Sequence, residues 1–150
     1  MTKPESPASF RSASSTDREA QAALFDRCFD RQDGGAVLPW RYDQGPHGAA
    51  LTTVVDGDAG VVASYACGPR RLAGEKEVLV GETGDVMTAP EARGGGLFSG
   101  LDRATMEAAR AAGWPVVFGL PNRASAHIFV RDLGWEEVGE LRPWTFVLVG

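Results

Sequence analysis

Residues 93–98 are Arg93-Gly94-Gly95-Gly96-Leu97-Phe98, which follow a β-rich segment and precede an amphipathic one that extends to about Ala112. Glycine has no Cβ, so three in succession let the backbone approach a ligand closely. The first N–H groups of a helix have no partner within it, and they carry the positive end of its dipole, which favours phosphate. Arg93 adds a guanidinium group beside them. The stretch therefore predicts a strand, a glycine-rich pyrophosphate cradle and a helix.

Two common phosphate-binding loops do not fit this stretch. A P-loop requires Lys and then Ser or Thr after its last glycine, whereas Leu97 and Phe98 follow Gly96 here. A dinucleotide-binding fingerprint requires a third Gly or Ala where this chain has Ser99, and an acidic residue after the next strand. That strand is followed by Pro121-Asn122. A glycine-rich turn without a ligand is the alternative interpretation of the run.

Three spaced motifs resemble those of the GNAT superfamily of acyl-CoA-dependent N-acyltransferases. The glycine run resembles its motif A, Arg/Gln-x-x-Gly-x-Gly/Ala, through Arg93, Gly96 and the preceding Pro90. Phe98 replaces the last small residue of that motif, as it does in a bacterial branch with Arg-Gly-x-Gly-Leu/Ile-Phe. Asn122-Arg123-Ala124-Ser125 resembles the later Asn-x-x-Ala/Ser signature of the superfamily. Leu133-Gly134-Trp135 resembles the Leu-Gly-Phe/Trp signature that follows it.

Composition narrows the class of protein. A chain of 150 residues with 43% hydrophobic and 23% charged residues suits one globular domain. The formal net charge is −5 and the basic residues are scattered, which disfavours nucleic acid as a partner. No apolar run approaches the roughly 20 residues of a membrane span, and the N-terminus lacks the apolar core of a signal peptide. We expect a cytoplasmic protein with no membrane partner, and a homodimer is a possible assembly.

The two cysteines, Cys28 and Cys67, do not have the spacing of a metal site, so we expect buried free thiols and no bound metal. Residues 1–8 are expected to be a flexible N-terminus and residues 9–150 a single domain. The elements expected in the first third of the chain are a short strand at 9–12, a helix capped by Thr16 and Glu19 and ended by Gly34-Gly35, and an irregular aromatic-rich segment at 37–48.

The remaining elements are mainly strands. A hairpin is predicted at 51–55 and 60–67, with a polar connection at 68–76. A long strand follows at 77–88, in which Gly81 or Gly84 indicates a bulge. After the glycine run and its helix, the chain is expected to form a buried strand at 115–120, a helix at 125–133, and closing strands at 135–141 and 144–149.

This order predicts an α+β fold with a mixed sheet, because a hairpin meander leads into a β-α-β unit. It resembles the GNAT fold over nearly the whole chain, with the usual second helix reduced to a loop. In that fold a mostly antiparallel central sheet is flanked by helices and splays apart between strands 4 and 5. The resemblance therefore implies such a splay here, at the end of the strand predicted at 77–88.

The resemblance also implies acetyl-CoA as cosubstrate. Its pantetheine arm would lie in the splay and pair with the backbone of strand 4, which would also polarise the thioester carbonyl. Its pyrophosphate would lie in the glycine cradle. The residues assigned to the cosubstrate in this way are Val86, Met87, Thr88, Arg93, Gly94, Gly95, Gly96, Leu97, Phe98 and Asn122. An ordinary strand end is the alternative for the first three.

Acyl transfer to an amine requires a neutral nitrogen, so a carboxylate that accepts the proton is expected nearby. Glu82 and Asp85 are the candidate catalytic residues on the predicted fourth strand. They lie on opposite faces of a regular strand, and on one face if Gly84 marks a bulge. A solvated strand carboxylate is the alternative for each.

The tyrosine that protonates the leaving thiolate in many members of the superfamily is absent. Phe129 or Val130 occupies its place, and His127 or water would have to supply the proton. This departure leaves a GNAT-fold module that binds acyl-CoA without turnover as an alternative to an enzyme.

The function that the resemblance implies is transfer of an acetyl group from acetyl-CoA to a primary amine of a small molecule, directly within a ternary complex. If the protein is an enzyme, the alternative is that it transfers another acyl group or uses another acceptor. If it is not, it could be a protein that binds a flavin or a nucleotide phosphate at the glycine turn. The acidic net charge mildly favours a cationic amine. Trp40, Tyr42 and Trp144 are candidates for an aromatic pocket, but core packing is the favoured role for each.

Overall fold

A computed structural model describes residues 8–142. The chain divides into two compact units, Met1–Leu120 and Pro121–Gly150. The described part of the first unit contains a five-stranded sheet formed by β1 (Phe10–Ser12), β2 (Leu51–Gly57), β3 (Gly60–Leu72), β4 (Val78–Thr88) and β5 (Val117–Gly119). Its helices are α1 (Arg18–Phe29), α2 (Gly34–Asp43) and α3 (Leu97–Ala111).

The strands follow one another across the sheet in chain order. The first four pair antiparallel, and β5 pairs parallel to β4 because α3 carries the chain back across the sheet. This mixed sheet confirms the predicted α+β fold. The β4–β5 pairing covers three positions, from Gly81–Val117 to Thr83–Gly119. The part of β4 from Gly84 to Thr88 therefore extends beyond β5, which is the splay that the resemblance implied.

Helices cover both faces of the sheet. On one face, α1 and α2 pack on β3 and β4 around a core that includes Leu24, Leu38 and Met87. On the other face lies α3, where the Tyr65 hydroxyl donates to Asp102 at 3.0 Å and fixes that helix to the sheet. Successive side chains of β3 point alternately to these two layers, and most of its central residues are buried, as expected for a strand covered on both faces.

The helix α2 corrects two sequence-based expectations. Gly34-Gly35 does not end the first helix but begins the second, and the segment predicted to be irregular is mostly helical. Asp26 of α1 accepts a hydrogen bond from the Gly34 N–H at 2.8 Å, and a Cβ on Gly34 would lie 2.7 Å from the Ala22 carbonyl oxygen. The glycine therefore allows two helices to approach closely.

Two further boundaries differ from the expectation. A 3₁₀ turn, Ser15–Asp17, precedes α1, and its N-terminal cap is Ser14 and not Thr16. The Ser14 backbone N–H donates to the Asp17 carboxylate at 2.8 Å. β3 continues to Leu72 through the stretch predicted to be a polar connection. There Arg70, Arg71 and Leu72 pair with Val80, Leu79 and Val78 of β4. The Arg71 side chain lies 3.2 Å from Glu77, which immediately precedes β4.

The predicted buried strand at 115–120 is shorter and more exposed than expected. Only Val117–Gly119 pairs with the sheet, and the flanking Val116 and Leu120 are exposed. Its three residues are half-buried, as in a strand near the edge of a sheet.

In the second unit, α4 (Arg123–His127) continues into a π-helical turn, Ile128–Asp132, and the predicted helix at 125–133 is confirmed in outline. The Asn122 side chain caps this helix by accepting from the Ser125 N–H at 3.0 Å. The expected strand at 135–141 is not a strand in the structure. Its expected partner at 144–149 lies outside the described residues, and a strand exists only through pairing.

Candidate functional site

A β-bulge lies in β4 beside the splay. The β3–β4 register places Ser64 opposite Met87 and Ala66 opposite Gly84, so Asp85 and Val86 together lie opposite a single residue. Asp85 has a φ of 49°, in the left-handed region that non-glycine residues rarely occupy. Such backbone strain concentrates at functional sites. The bulge breaks the alternation of β4, and both Glu82 and Asp85 line the same cleft.

This acceptor cleft, as we call it, has a volume of about 180 Å³ and lies in the first unit. β3 and β4 form its floor, and the end of α2 contributes its wall. Its lining residues are Arg41, Tyr42, Ala50, Ala66, Gly68, Arg70, Glu82, Thr83, Gly84 and Asp85. A Cβ added to Gly84 would have no heavy atom within 4 Å, so this glycine leaves space open inside the cleft.

Both candidate carboxylates are paired with arginines. One terminal nitrogen of Arg41 donates hydrogen bonds to both Asp85 oxygens, at 2.7 Å each. The Tyr42 hydroxyl donates to Asp85 Oδ2 at 3.1 Å. Arg70 lies 2.6 Å from a Glu82 oxygen. The carboxylates are the less exposed partners, at 14% for Asp85 and 26% for Glu82, whereas the two arginines are about two-fifths exposed.

Tyr42 combines a core position with a polar contact in the acceptor cleft. Its ring is buried, and the Arg18 guanidinium lies 5.4 Å from the ring centroid. Burial, and then the negative charge of Asp85, raise the pKa of the Tyr42 hydroxyl well above its usual value. Tyr42 therefore remains protonated and donates to Asp85 throughout the neutral range.

Sequence reasoning named the two carboxylates but missed Arg41 and Arg70 as site residues. The spacing of four between Leu38 and Tyr42 could have indicated a helix that presents its last turn to β4. Pro39 inside that segment argued against a helix. The pairing of Arg70 with Glu82 depends on the extended β3, which the sequence did not predict.

The glycine run forms an open turn at the start of α3. Gly94 and Gly96 have φ values of 83° and 71°, and Gly96 caps the helix without a side-chain hydrogen bond. A Cβ on Gly95 would meet nothing closer than the Ala92 carbonyl oxygen at 3.8 Å. These features fit a phosphate group, because Gly94, Gly95 and Gly96 are exposed and a helix start carries the positive end of the helix dipole.

The other residues assigned to the cosubstrate are distributed as follows. Val86, Met87 and Thr88 form the end of β4 beyond its pairing with β5. The Thr88 carbonyl accepts from Arg93 Nε at 3.2 Å, so the guanidinium lies between the strand end and the glycine run. Leu97 and Phe98 open α3. Asn122 caps α4 in the second unit.

Within residues 8–142, no group of three or more His, Cys, Asp or Glu side chains is arranged to hold a metal ion. Both cysteines in that range are free, and burial raises the pKa of the Cys67 thiol to about 12. No helix of the described part is long and apolar enough to cross a membrane.

Comparison with known families gives a match to the acetyltransferase (GNAT) domain over residues 9–138. The chain belongs to the GNAT acetyltransferase family. It is thus an acyltransferase, as the motifs predicted. No curated protein matches the sequence at a significant level.

Solved GNAT structures share the fold at low sequence identity. Glucosamine-6-phosphate N-acetyltransferase from Arabidopsis thaliana has a TM-score of 0.71 at 13% identity, with 95% of this chain and 100% of that chain covered. Aminoglycoside 6′-N-acetyltransferase AAC(6′)-IG from Acinetobacter haemolyticus has a TM-score of 0.70 at 15% identity, covering 94% and 99%. YhbS from Escherichia coli, solved with CoA, has a TM-score of 0.66 at 21% identity, covering 83% and 68%.

Proposed function

We propose that this GNAT protein transfers an acetyl group from acetyl-CoA to a primary amine of a small molecule, directly within a ternary complex. The observation that carries the proposal is the position of the acceptor cleft. Of its two carboxylates, Glu82 lies opposite Phe118 of β5, and Asp85 lies in the part of β4 that extends past β5. An amine in the cleft would therefore lie beside a thioester held along that strand end.

The cosubstrate is proposed to bind along β4 and the start of α3. Val86, Met87 and Thr88 would offer backbone groups to the pantetheine arm, and the run from Arg93 to Phe98 would hold the pyrophosphate. The open glycine turn and a helix start whose cap, Gly96, makes no side-chain hydrogen bond support this placement. YhbS, which shares the fold, was solved in complex with CoA. Asn122 is kept as a proposed contact at the start of α4.

The reaction needs a neutral amine, because an ammonium nitrogen has no lone pair. We assign the role of general base to Asp85, with Glu82 as a second carboxylate that attracts the cation. Asp85 is favoured because it lies closer to the strand end and is held in a strained conformation by the bulge. Before substrate binds, Tyr42 and Arg41 hold its carboxylate in place.

In the proposed step Asp85 takes a proton from the ammonium group, and the neutral nitrogen then attacks the thioester carbonyl carbon. The tetrahedral intermediate expels the thiolate, gives its extra N–H proton to water and becomes the amide. Phe129 has no proton to give, and its ring packs on Trp135 at 5.0 Å between centroids. Water is therefore assigned as the source of the proton that the leaving thiolate takes up.

Binding of CoA is expected to stabilise the protein. A ligand that binds only the folded state at a hundredfold excess over its Kd raises the free energy of unfolding by about 2.7 kcal/mol. Thermal unfolding with CoA, ATP and NAD at equal concentration measures this effect. We expect a large upward shift of Tm with CoA and a much smaller one with the other two. Equal shifts for CoA and ATP would show a simple phosphate site and contradict the proposal.

Filling the acceptor cleft is expected to lower acetylation without weakening CoA binding. Leucine at Gly84 would project into open space, and the φ of Gly84 is not left-handed, so the Gly84→Leu protein should fold. We expect kcat/KM for the amine to fall at least about tenfold, equivalent to about 1.4 kcal/mol.

Gly35→Leu is the matched control for this variant. Gly35 is exposed on α2, has ordinary backbone angles and has nothing within 4 Å of an added Cβ. Kinetics of both variants are measured with saturating acetyl-CoA. An unchanged kcat/KM in a folded Gly84→Leu protein would place the acceptor elsewhere.

A further inference from the structure

The charges that line the acceptor cleft balance. Two arginines, Arg41 and Arg70, face two carboxylates, Asp85 and Glu82, although the chain as a whole carries −5. The net charge of the whole chain mildly favoured a cationic amine, but a ligand responds most strongly to the charges it contacts. A neutral site that holds both signs is complementary to a ligand that also holds both signs.

The Arg41–Asp85 pair constrains how an amine can enter. One nitrogen of Arg41 contacts both Asp85 oxygens at 2.7 Å, and the Tyr42 hydroxyl contacts one of them. An ammonium group that approaches Asp85 must therefore take the place of the Arg41 nitrogen. Arg41 can yield that place, because its side chain is 41% exposed whereas Asp85 is only 14% exposed.

We infer that the acceptor is a compact zwitterionic amine, of which an amino acid is the simplest example. Its ammonium group replaces Arg41 at Asp85, and its carboxylate then pairs with the displaced Arg41 guanidinium. This exchange leaves neither Asp85 nor Arg41 without an oppositely charged partner, and an arginine guanidinium can bind a carboxylate in a planar, bidentate geometry. The inference rests on the proposed function, since it names the acceptor of the same site.

The size of the acceptor cleft agrees with a small acceptor. Its volume of about 180 Å³ is below the roughly 300–1,000 Å³ of sites that enclose drug-sized ligands. Arg70 remains paired with Glu82 at 2.6 Å in this scheme and borders the same space.

The experiment compares amino acids with their own carboxamides, which keep the amine and remove the negative charge. Glycine, β-alanine and 4-aminobutyrate, each paired with its amide, vary the distance between the two groups. The ratio of kcat/KM for acid over amide is measured in the wild-type protein, in Arg41→Gln and in Arg71→Gln. Arg71 is the matched control, because it pairs with Glu77 and does not line the cleft.

In the wild-type protein we expect kcat/KM for the amino acid to exceed that for its amide by about tenfold or more, for at least one of the three chain lengths. This is the usual effect of a charge-assisted hydrogen bond. The ratio should fall to near one in Arg41→Gln and stay unchanged in Arg71→Gln. A ratio near one at every length in the wild type, or one that persists in Arg41→Gln, would overturn the inference. Turnover of the amides as well as the acids would leave the proposed function intact.

If neither member of any pair is acetylated but another primary amine is, the inference fails and the proposed function stands. If no primary amine of a wider panel is acetylated, the proposed function fails. Calorimetric binding of the same pairs in the presence of CoA then decides the inference, with the same expected ratio of affinities in the three proteins.

Discussion

Replacing Asp85 by asparagine is expected to lower kcat/KM for amine acetylation by about 10²–10⁴-fold, the usual cost of losing a general base. Asparagine has nearly the same shape and tolerates the left-handed conformation at this position, so the bulge should survive. Affinity for CoA should hardly change, because the glycine run lies on a different segment. The loss would then come from proton transfer and not from cosubstrate binding.

The pH profile separates a base from a structural carboxylate. A base works only when deprotonated, so loss of the base contributes to the fall in activity of the wild type at acidic pH. In Asp85→Asn this acidic limb should flatten, leaving the ionisation of the amine itself. Glu82→Gln is expected to raise KM more than it lowers kcat, since we assign it attraction of the cation rather than proton transfer.

Glu77→Gln is the control for removing a carboxylate that pairs with an arginine of β3. Glu77 pairs with Arg71 outside the acceptor cleft, and its replacement should leave the kinetics unchanged. Full activity of both Asp85→Asn and Glu82→Gln at every pH would mean that the amine arrives already neutral and that the protein contributes only positioning.

The second large effect is expected at the glycine run. Valine at Gly95 should fold, because Gly95 has no left-handed φ and an added Cβ would meet only an ordinary contact at 3.8 Å. The side chain would nevertheless occupy the space that a pyrophosphate needs. Gly96 is a poorer position for this substitution. Its φ of 71° would strain a residue with a side chain even without a ligand, so a loss of binding could not be assigned to the blocked phosphate site.

We expect Gly95→Val and Arg93→Glu each to weaken CoA binding by at least about tenfold, or about 1.4 kcal/mol, measured by calorimetry. The first blocks the backbone and the second places a negative charge beside the phosphates. A short pantetheine thioester without phosphates should bind equally well to both variants and to the wild type. Gly35→Val serves as the control for adding valine at an exposed glycine. Unaltered CoA affinity in folded Arg93→Glu would assign Arg93 a structural role, through its bond to Thr88.

Local chemistry explains which parts of the fold were predictable. The hairpin between β2 and β3 and the helix α3 depend on signals within a few residues, namely a turn sequence and a glycine start followed by apolar spacing. The helix α2 was missed because Gly34 and Pro39 weaken helices on their own, and contacts with α1 outweigh that penalty.

The carboxylates of the acceptor cleft could be predicted from the sequence, but their arrangement and their arginine partners could not, for a similar reason. Glu82 and Asp85 could be named from their strand, but their common orientation depends on a bulge whose position is set by pairing with β3. Arg41 comes from a helix 44 residues earlier in the chain, and the sequence contains no local signal for that contact. Tertiary pairing, and not residue type, determined these features.

The most direct test of the central claim is amine-dependent release of free thiol from acetyl-CoA, with the amide identified by mass spectrometry. The proposal predicts that thiol and amide form in equal amounts only when protein and primary amine are both present, and that Asp85→Asn nearly abolishes both. Tight CoA binding without amine-dependent thiol release, across a panel of amines and pH values, would contradict it and identify a module that binds acyl-CoA without turnover.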